Sequence, residues 1–597
     1  MAKSPLNDRT DIVSFSVEVN GRPIDDKYQI LSCEVEKEAY KISRATLTFL
    51  IPFDASEAKA FEISERGELT PGNAINIKLG YRNRNKSVFK GIIVHQGIEI
   101  PIGRVPVLTV QCSDKAVSLT LGRNSKCFQE KKDSDILEEV IDNRGLTASV
   151  DPTDLRHKQL IQYQAIDWDF IITRAQANGL LVYYEQDKLY VKKPVINDSC
   201  GLELTHGEDI NSFKGGLESR FQMPAVTAGT WQFDEQAFQE KKSREPSIPS
   251  HGNLNGKKLS AVLGLSAYDV QSTASLENEE MQSWANATLL KARLAAMRGE
   301  VSFIGSNLPQ INKTIQLKGL GKRFNGDALI TKVRHSLFEG QWETTIGFGL
   351  DPEWYHESRN VNSPLASGLL PAIHGLQNGI VTKIHEDPEG EHRIQVNVPV
   401  MGANGEGIWA RQAVDYATEG KGLFFRPEMG DEVVLGFLND DPRFPVILGS
   451  LYSSQKPPPY TADEQNSIKA IVTKSNLKIE LDDEDKMLTI ATPSGNSVVL
   501  SDKAQELILK DGNGNKITMS NKGISLESSK DVVIKAAGKI DLQANSNIDM
   551  EAKGDIDLEG LNVEAKAQIA FKAQGSASAE ISASGNTTIK GSLVKIN

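Results

Sequence analysis

Residues 523–560 read GISLESSKDVVIKAAGKIDLQANSNIDMEAKGDIDLEG, and an eight-residue period runs through them. Ile524, Val532, Ile540, Ile548 and Ile556 make one column, and Leu526, Ile534, Leu542, Met550 and Leu558 make a second, two positions later in each turn. Ser528, Ala536, Ala544, Ala552 and Gly560 make a third, of small residues only. Side chains alternate sides along a strand, so an even period keeps all three columns on one face. A strand-plus-turn repeat of this kind is the pattern of a β-helix. After Gly560 the parity slips by one, and Val563, Ala565, Ile569, Phe571, Ala573, Ile581 and Ile589 continue it. Asp541, Lys553, Asp555 and Asp557 fall on the other parity and read as a solvated outer face. The spacing therefore predicts a rigid needle over 476–597 whose core is the ten residues of the two apolar columns.

The needle is poor in chemistry. Past Tyr460 there is no His, Cys, Arg, Trp or Tyr and one Phe, whereas a catalytic β-helix needs a groove of acids, bases and aromatic platforms. Asp511-Gly512-Asn513-Gly514-Asn515 lacks the later Glu of a calcium loop and reads as a hairpin turn.

Upstream, Pro457-Pro458-Pro459 marks a linker over 456–475. Residues 374–455 carry strand patterns at 380–384, 393–398, 432–437 and 446–448 with dense turn residues between them, which predicts a small five-stranded barrel of the OB type. A further linker is expected over 361–373. Residues 1–360 alternate short strands with few helices and read as α+β with tandem barrel-like sheets. Strands are expected at Phe15-Val17-Val19, at Thr46-Thr48-Leu50 running into Pro52, and at Phe89, Ile92 and Val94. Helices are expected over 168–178, capped by Asp167 and stopped by Gly179, and over 279–297, carrying Met281, Trp284, Leu289, Leu290 and Leu294. Arg82, Arg84, Lys86 and Lys90 read as a solvated hairpin tip.

Composition narrows the function. The 597-residue chain has a net charge of −12, which argues against nucleic acid as a partner. Cys33, Cys112, Cys127 and Cys200 lie far apart with no C-x-x-C pair, which fits neither a zinc site nor a disulfide framework and points to synthesis in a reducing cytoplasm. The start, Met1-Ala2-Lys3-Ser4-Pro5-Leu6-Asn7-Asp8, has no apolar signal region, and no stretch is long and apolar enough to span a bilayer. No H-E-x-x-H, G-x-S-x-G or Walker motif occurs. Gly402-Ala403-Asn404-Gly405-Glu406-Gly407 imitates a phosphate loop, but no helix follows it, so it reads as a barrel loop. Asp431 and Glu432 are adjacent strand residues pointing to opposite faces, which suits turn and edge duty. No catalytic residue, cofactor or metal ligand is expected.

With these residues in view, the chain resembles the VgrG family of contractile-injection spikes, relatives of the hub and spike proteins of contractile phage tails. Leu79-Gly80-Tyr81 with Val88-Phe89-Lys90-Gly91 resembles the hub-barrel motif. Trp168-Asp169-Phe170 through Arg174, Asn178-Gly179-Leu180 and Val182-Tyr183-Tyr184-Glu185 resembles the helix-to-strand segment. Gly379-Ile380-Val381, Asp387-Pro388-Glu389-Gly390 with Arg393, Trp409-Ala410-Arg411 and Arg426-Pro427-Glu428-Met429-Gly430-Asp431-Glu432-Val433 resemble the OB barrel, as do 436–442 and 445–452. The order of hub, barrel and needle covers nearly the whole chain. About twenty linker residues stand where phage spikes carry a lysozyme domain, and the chain stops at Lys595-Ile596-Asn597 where some members append an effector, so the resemblance implies an unadorned spike.

The resemblance implies a homotrimer whose apolar columns fill the axis of a triangular prism; the sequence alone also fits a single-chain coil. It implies a hub seated on an Hcp-like inner tube among baseplate components, and a PAAR-like tip protein on Val594, Lys595, Ile596 and Asn597. Effectors would ride on that tip or inside the tube. Synthesis would be cytoplasmic, followed by assembly into the particle and delivery outside the cell or into a target cell. Force, not catalysis, would be the product. Two rivals are a tailspike-like polysaccharide depolymerase, opposed by the missing groove residues, and a host-binding β-helix adhesin, opposed by the missing signal peptide.

Overall fold

In the computed structural model, residues 3–7, 11–25, 28–51, 61–249, 251–402 and 407–596 are described. Met1, Ala2, Asp8, Pro52, Ala403, Asn404, Gly405, Glu406 and Asn597 lie outside the described residues. The chain divides into two units, Met1–Leu451 and Tyr452–Asn597, each taken by itself below.

Alternation at the start of the first unit yields β1 (Val13–Val19), with Val17 and Val19 buried. It is followed by β2 (Gln29–Glu38), β3 (Arg44–Leu50), β4 (Ala74–Tyr81), β5 (Lys86–Glu99) and β6 (Val107–Ser113). On β3 the core side is Ala45, Leu47 and Phe49, so Thr46 and Thr48 take the other face. The basic cluster begins at the turn between β4 and β5, where Arg82 and Asn83 take positive φ and Arg82 pairs with Asp11. Gly91 is obligatory: a Cβ there would sit 2.2 Å from the Ser113 carbonyl oxygen on β6.

Six later strands repeat this arrangement: β7 (Ser199–Thr205), β8 (Ile210–Leu217), β9 (Met297–Ile304), β10 (Thr314–Lys318), β11 (Gly326–Phe338) and β12 (Gln341–Phe348). Hydrogen-bonded order is β1-β4-β5-β6-β3-β2 in the first set and β7-β10-β11-β12-β9-β8 in the second, the same order under one-to-one substitution. The irregularities coincide too. The register shifts between Ile93 and His95 in β5 and between Ile330 and Lys332 in β11. It shifts again between Ile30 and Ser32 in β2 and between Ile210 and Ser212 in β8. Just before the first shift, Ile93 donates to Asn73 and Ile330 to Lys313, at 2.9 and 2.8 Å. The β1–β4 pair is antiparallel while the β7–β10 pair is parallel. The hub is thus two barrel-like modules of one design, joined where β2 pairs antiparallel with β11.

Helices lie between and beside the modules. The expected helix over 168–178 is α1 (Asp167–Ala177), and that over 279–297 is α2 (Asn278–Ala295). Asp167 does not cap α1. Ile166 holds the cap position, and the Asp167 carboxylate accepts from Asn124, Arg144 and Gln162 at 2.8 Å each, tying the helix start to the antiparallel strands of 124–132 and 156–165. The helix stop is as expected: Gly179 has φ +67°, and Leu180 N–H closes back onto the Ala175 carbonyl at 2.9 Å.

The OB barrel closes through β13 (Gln377–Lys383), β14 (Ile394–Asn397), β15 (Ile408–Gln412), β16 (Glu432–Phe437) and β17 (Pro445–Ser450), in the order β13-β14-β15-β17-β16 with β15 and β17 parallel. Val381, Ile394, Val396, Ala410, Val433, Leu435 and Ile447 fill it. The segment at 361–373 is not loose: Ala366 is buried, and Ile373 N–H bonds the Asp440 carbonyl at 2.9 Å.

Candidate functional site

Polar clusters of the first unit serve architecture. Asp133 is 1% exposed; Arg174 Nε donates to its Oδ1 at 2.7 Å, Arg174 Nη2 to its Oδ2 at 2.8 Å and Asn178 Nδ2 to Oδ2 at 3.0 Å, while His157 Nε2 lies 3.0 Å from Oδ2. Burial pushes the carboxyl up, but the bonds from His157 and Arg174 outweigh it and hold it well below the usual range. Arg174 also pairs with Glu280 of α2 at 3.6 Å. Of the helix-to-strand motif, Arg174 therefore balances the charge of the buried Asp133, and Asn178 supplies it a further hydrogen bond. In the barrel, Asp387 accepts from Arg393 Nη2 at 2.7 Å and Nε at 3.1 Å, and Arg426 donates to the His392 and Arg393 carbonyls. Asp431 accepts from the Glu428 amide and Glu432 from Asn378. Among the described residues no three His, Cys, Asp or Glu are grouped to hold a metal.

The second unit carries what is unusual. Seven five-residue strands form an antiparallel meander: β18 (Ile468–Val472), β19 (Lys478–Asp482), β20 (Met487–Ala491), β21 (Ser497–Ser501), β22 (Glu506–Lys510), β23 (Lys516–Ser520) and β24 (Gly523–Glu527). Ordered pairing begins inside the stretch 456–475 expected to be linker. Two strands plus two turns take nineteen residues, so Ile471, Ile490 and Leu509 are equivalent, as are Leu481, Leu500 and Met519. Asn476, Gly495 and Gly514, at the same interval, take the positive φ that each tight turn requires. In the last of these turns Asp511 accepts from the Asn513 and Asn515 amides at 2.9 and 2.8 Å, so its oxygens shape a turn.

Register pairing lines up two apolar ladders. One runs Ile471, Ile479, Ile490, Val498, Leu509, Ile517 and Leu526. The other runs Leu481, Leu488, Leu500, Leu507, Met519 and Ile524. Both end on Leu526 and Ile524, the residues that open the eight-residue columns.

Beyond them the columns have no cover within the chain. Residues 528–596 hold no strand and no backbone-to-backbone hydrogen bond among those described. A single-chain coil would pair its own successive turns, so that arrangement is absent. The conformation is nonetheless regular. Val532, Ile540, Ile548 and Ile556 are 52–54% exposed, and Ile534, Leu542, Met550 and Leu558 are 68–72% exposed, the same value returning every eight residues. Val594 and Ile596 are exposed as well. Large aliphatic side chains in a repeating line, on a backbone that makes no bond to itself, make a surface built to be completed by other chains.

Three family descriptions match. Residues 9–339 match the Alg8 N-terminal domain, 377–452 the type VI secretion system/phage-baseplate injector OB domain, and 487–552 the phage baseplate V C-terminal trimerisation domain. The type VI secretion system spike protein VgrG1b of Pseudomonas aeruginosa is 21% identical over 389 residues, covering 60% of this chain and 50% of its own length. VgrG1c of the same organism is 20% identical, covering 65% of this chain and 56% of its own. The chain thus spans about half the length of these relatives. A solved 43 kDa tail protein of prophage MuSo2 from Shewanella oneidensis superposes with a TM-score of 0.44 at 12% identity, over 57% of this chain and 98% of that one.

Proposed function

This chain belongs to the Alg8 N-terminal domain family, and from that premise we propose that it is the trimeric spike of a contractile injection machine. The observation that carries the proposal is the pair of apolar ladders, continuous from Ile471 and Leu481 through Leu558 and uncovered in the single chain. Three chains related by a threefold axis turn these ladders inward, and over 528–596 they satisfy one another's backbone groups. Each aliphatic side chain that leaves water contributes ~1.5–3 kcal/mol, and the repeat sums these into one cooperative core. The result is stiff along its axis, because layers ~4.8 Å apart are hydrogen-bonded above and below.

The hub supplies the other half of the device. Two like modules per chain make six in a trimer, a symmetry that suits seating on an Hcp-like inner tube within the baseplate. Val594, Lys595 and Ile596 receive a PAAR-like tip protein, and effectors travel on it or in the tube. The protein transmits force to a membrane and cuts no bond.

Native mass spectrometry of the full chain tests this. A trimer that resists SDS until heated is expected; a stable monomer at micromolar concentration would overturn it.

A further inference from the structure

Between β8 and β9 the second module carries an insert, a three-stranded sheet packed on α2. Its strands are Val226–Gln232 in the centre, Ala237–Lys242 antiparallel on one side and Tyr268–Ser272 parallel on the other. Val226 and Ala228 pack with Met281, Ala285 and Leu289 of α2. The opposite face holds Trp231, which stands directly across from Phe238, and Gly229, across from Glu240. Trp231 and Phe238 are 43% and 47% exposed, and the Phe238 ring lies so close over Gly229 that a Cβ there would meet its Cζ at 2.6 Å. Two aromatic side chains thus make an open shelf along the strand of 237–242.

The backbone beside that shelf is open as well. Ser243 N–H donates to the Val226 carbonyl at 2.8 Å, and bonded pairs alternate along an antiparallel ladder. Ala237, Gln239 and Lys241 therefore bond inward, and Phe238, Glu240 and Lys242 turn their N–H and C=O groups outward. The Lys242 carbonyl is taken by Gln282 Nε2 at 2.9 Å. From Phe238 to the Lys242 amide, no strand among the described residues pairs the outer side. The register is unbroken over 237–242, so no bulge turns this edge away from a neighbour.

We propose that this edge is a docking strand, to which an extended segment of a partner protein adds antiparallel. The outward residues fix what that segment carries. Directly opposed side chains share a face, so an apolar residue lies opposite Phe238 and beside Trp231, a basic one opposite Glu240 and an acidic one opposite Lys242. From its N-terminus to its C-terminus the segment is acidic–x–basic–x–apolar. The docking strand stands on the insert alone and does not depend on the trimeric reading.

The probe is the synthetic peptide Thr-Glu-Thr-Lys-Thr-Ile-Thr at millimolar concentration, beside Thr-Lys-Thr-Glu-Thr-Ile-Thr, which exchanges the two charges. Hydrogen exchange of the full-length protein should slow over 237–242 with the first peptide and a few-fold less with the second. Phe238→Pro removes one outward N–H and no inward bond, and should abolish the protection with the unfolding midpoint little changed. Glu240→Lys leaves the backbone intact and should erase the preference between the peptides. No protection by either peptide overturns the docking strand, and equal protection by both in the unaltered protein overturns its side-chain pattern. Amides of Phe238 and Glu240 that already exchange slowly without peptide would mean that a second copy holds the edge, which overturns it too.

Discussion

Ile548 stands inside the first apolar column with Ile540 and Ile556 on either side, and Asp549 is its neighbour on the other parity. In the proposed trimer Ile548→Asp would place one carboxylate per chain at the axis, and an unpaired buried carboxylate costs several kcal/mol. The expected result is loss of SDS resistance and a fall in Tm of ~10 °C or more. Asp549→Asn should leave both within error. Equal damage from both would mean that the inward face is assigned wrongly. His335 gives a second test. Burial, with the Lys37 charge adding to it, pushes its imidazole down to about 3 from 6.5, so the unfolded chain binds the proton that the fold excludes. Its contribution is therefore complete above pH 6.5 and is lost as pH falls toward 3, at no more than ~1.4 kcal/mol per pH unit. His335→Gln should flatten the stability profile between pH 6.5 and 4.5, read by denaturant unfolding. An unchanged slope would show that another group governs acid lability.

The meander makes its own demand on length. Deleting residues 490–508 removes one nineteen-residue unit, joins Thr489 to Leu509, and keeps both ladders on their face. A shorter trimer that still resists SDS is expected. Deleting 490–500 instead removes eleven residues and puts Ser501, from the other parity, in the place of Ile490, which breaks the alternation and should abolish that resistance. This repeat shows why the fold was only partly legible. The columns from Ile524 onward recur at one fixed interval, so they stand out by counting. In the meander, successive ladder residues are eight and then eleven apart, as in Ile471, Ile479, Ile490, Val498 and Leu509, because antiparallel strands meet near one turn and far from the next. A search at nineteen would have found it. The hub duplication shows almost nothing at residue level; it is legible in strand order and bulges. Asp167 looked like a cap because it is an acid ahead of an apolar helix, and only the fold brings Arg144 and Gln162 to its carboxylate. The residues from Ile524 onward were legible as columns, but not that they stand uncovered in a lone chain, which depends on where the backbone turns.

At the level of the assembly, the trimer proposed here would place corresponding residues of all three chains in shared layers, leaving no chain a private core over 528–596. Genetics should feel this. In a cell making normal and Ile548→Asp chains in equal amounts, random assembly leaves only about one trimer in eight free of the altered chain. The altered allele should therefore be dominant, cutting particle delivery several-fold although half of the chains are sound. Co-expression at graded ratios, with delivery plotted against the normal fraction, should follow a cube and not a straight line. A spike of this construction tolerates no silent partner: inheritance of one bad copy would spoil most of what the good copy makes.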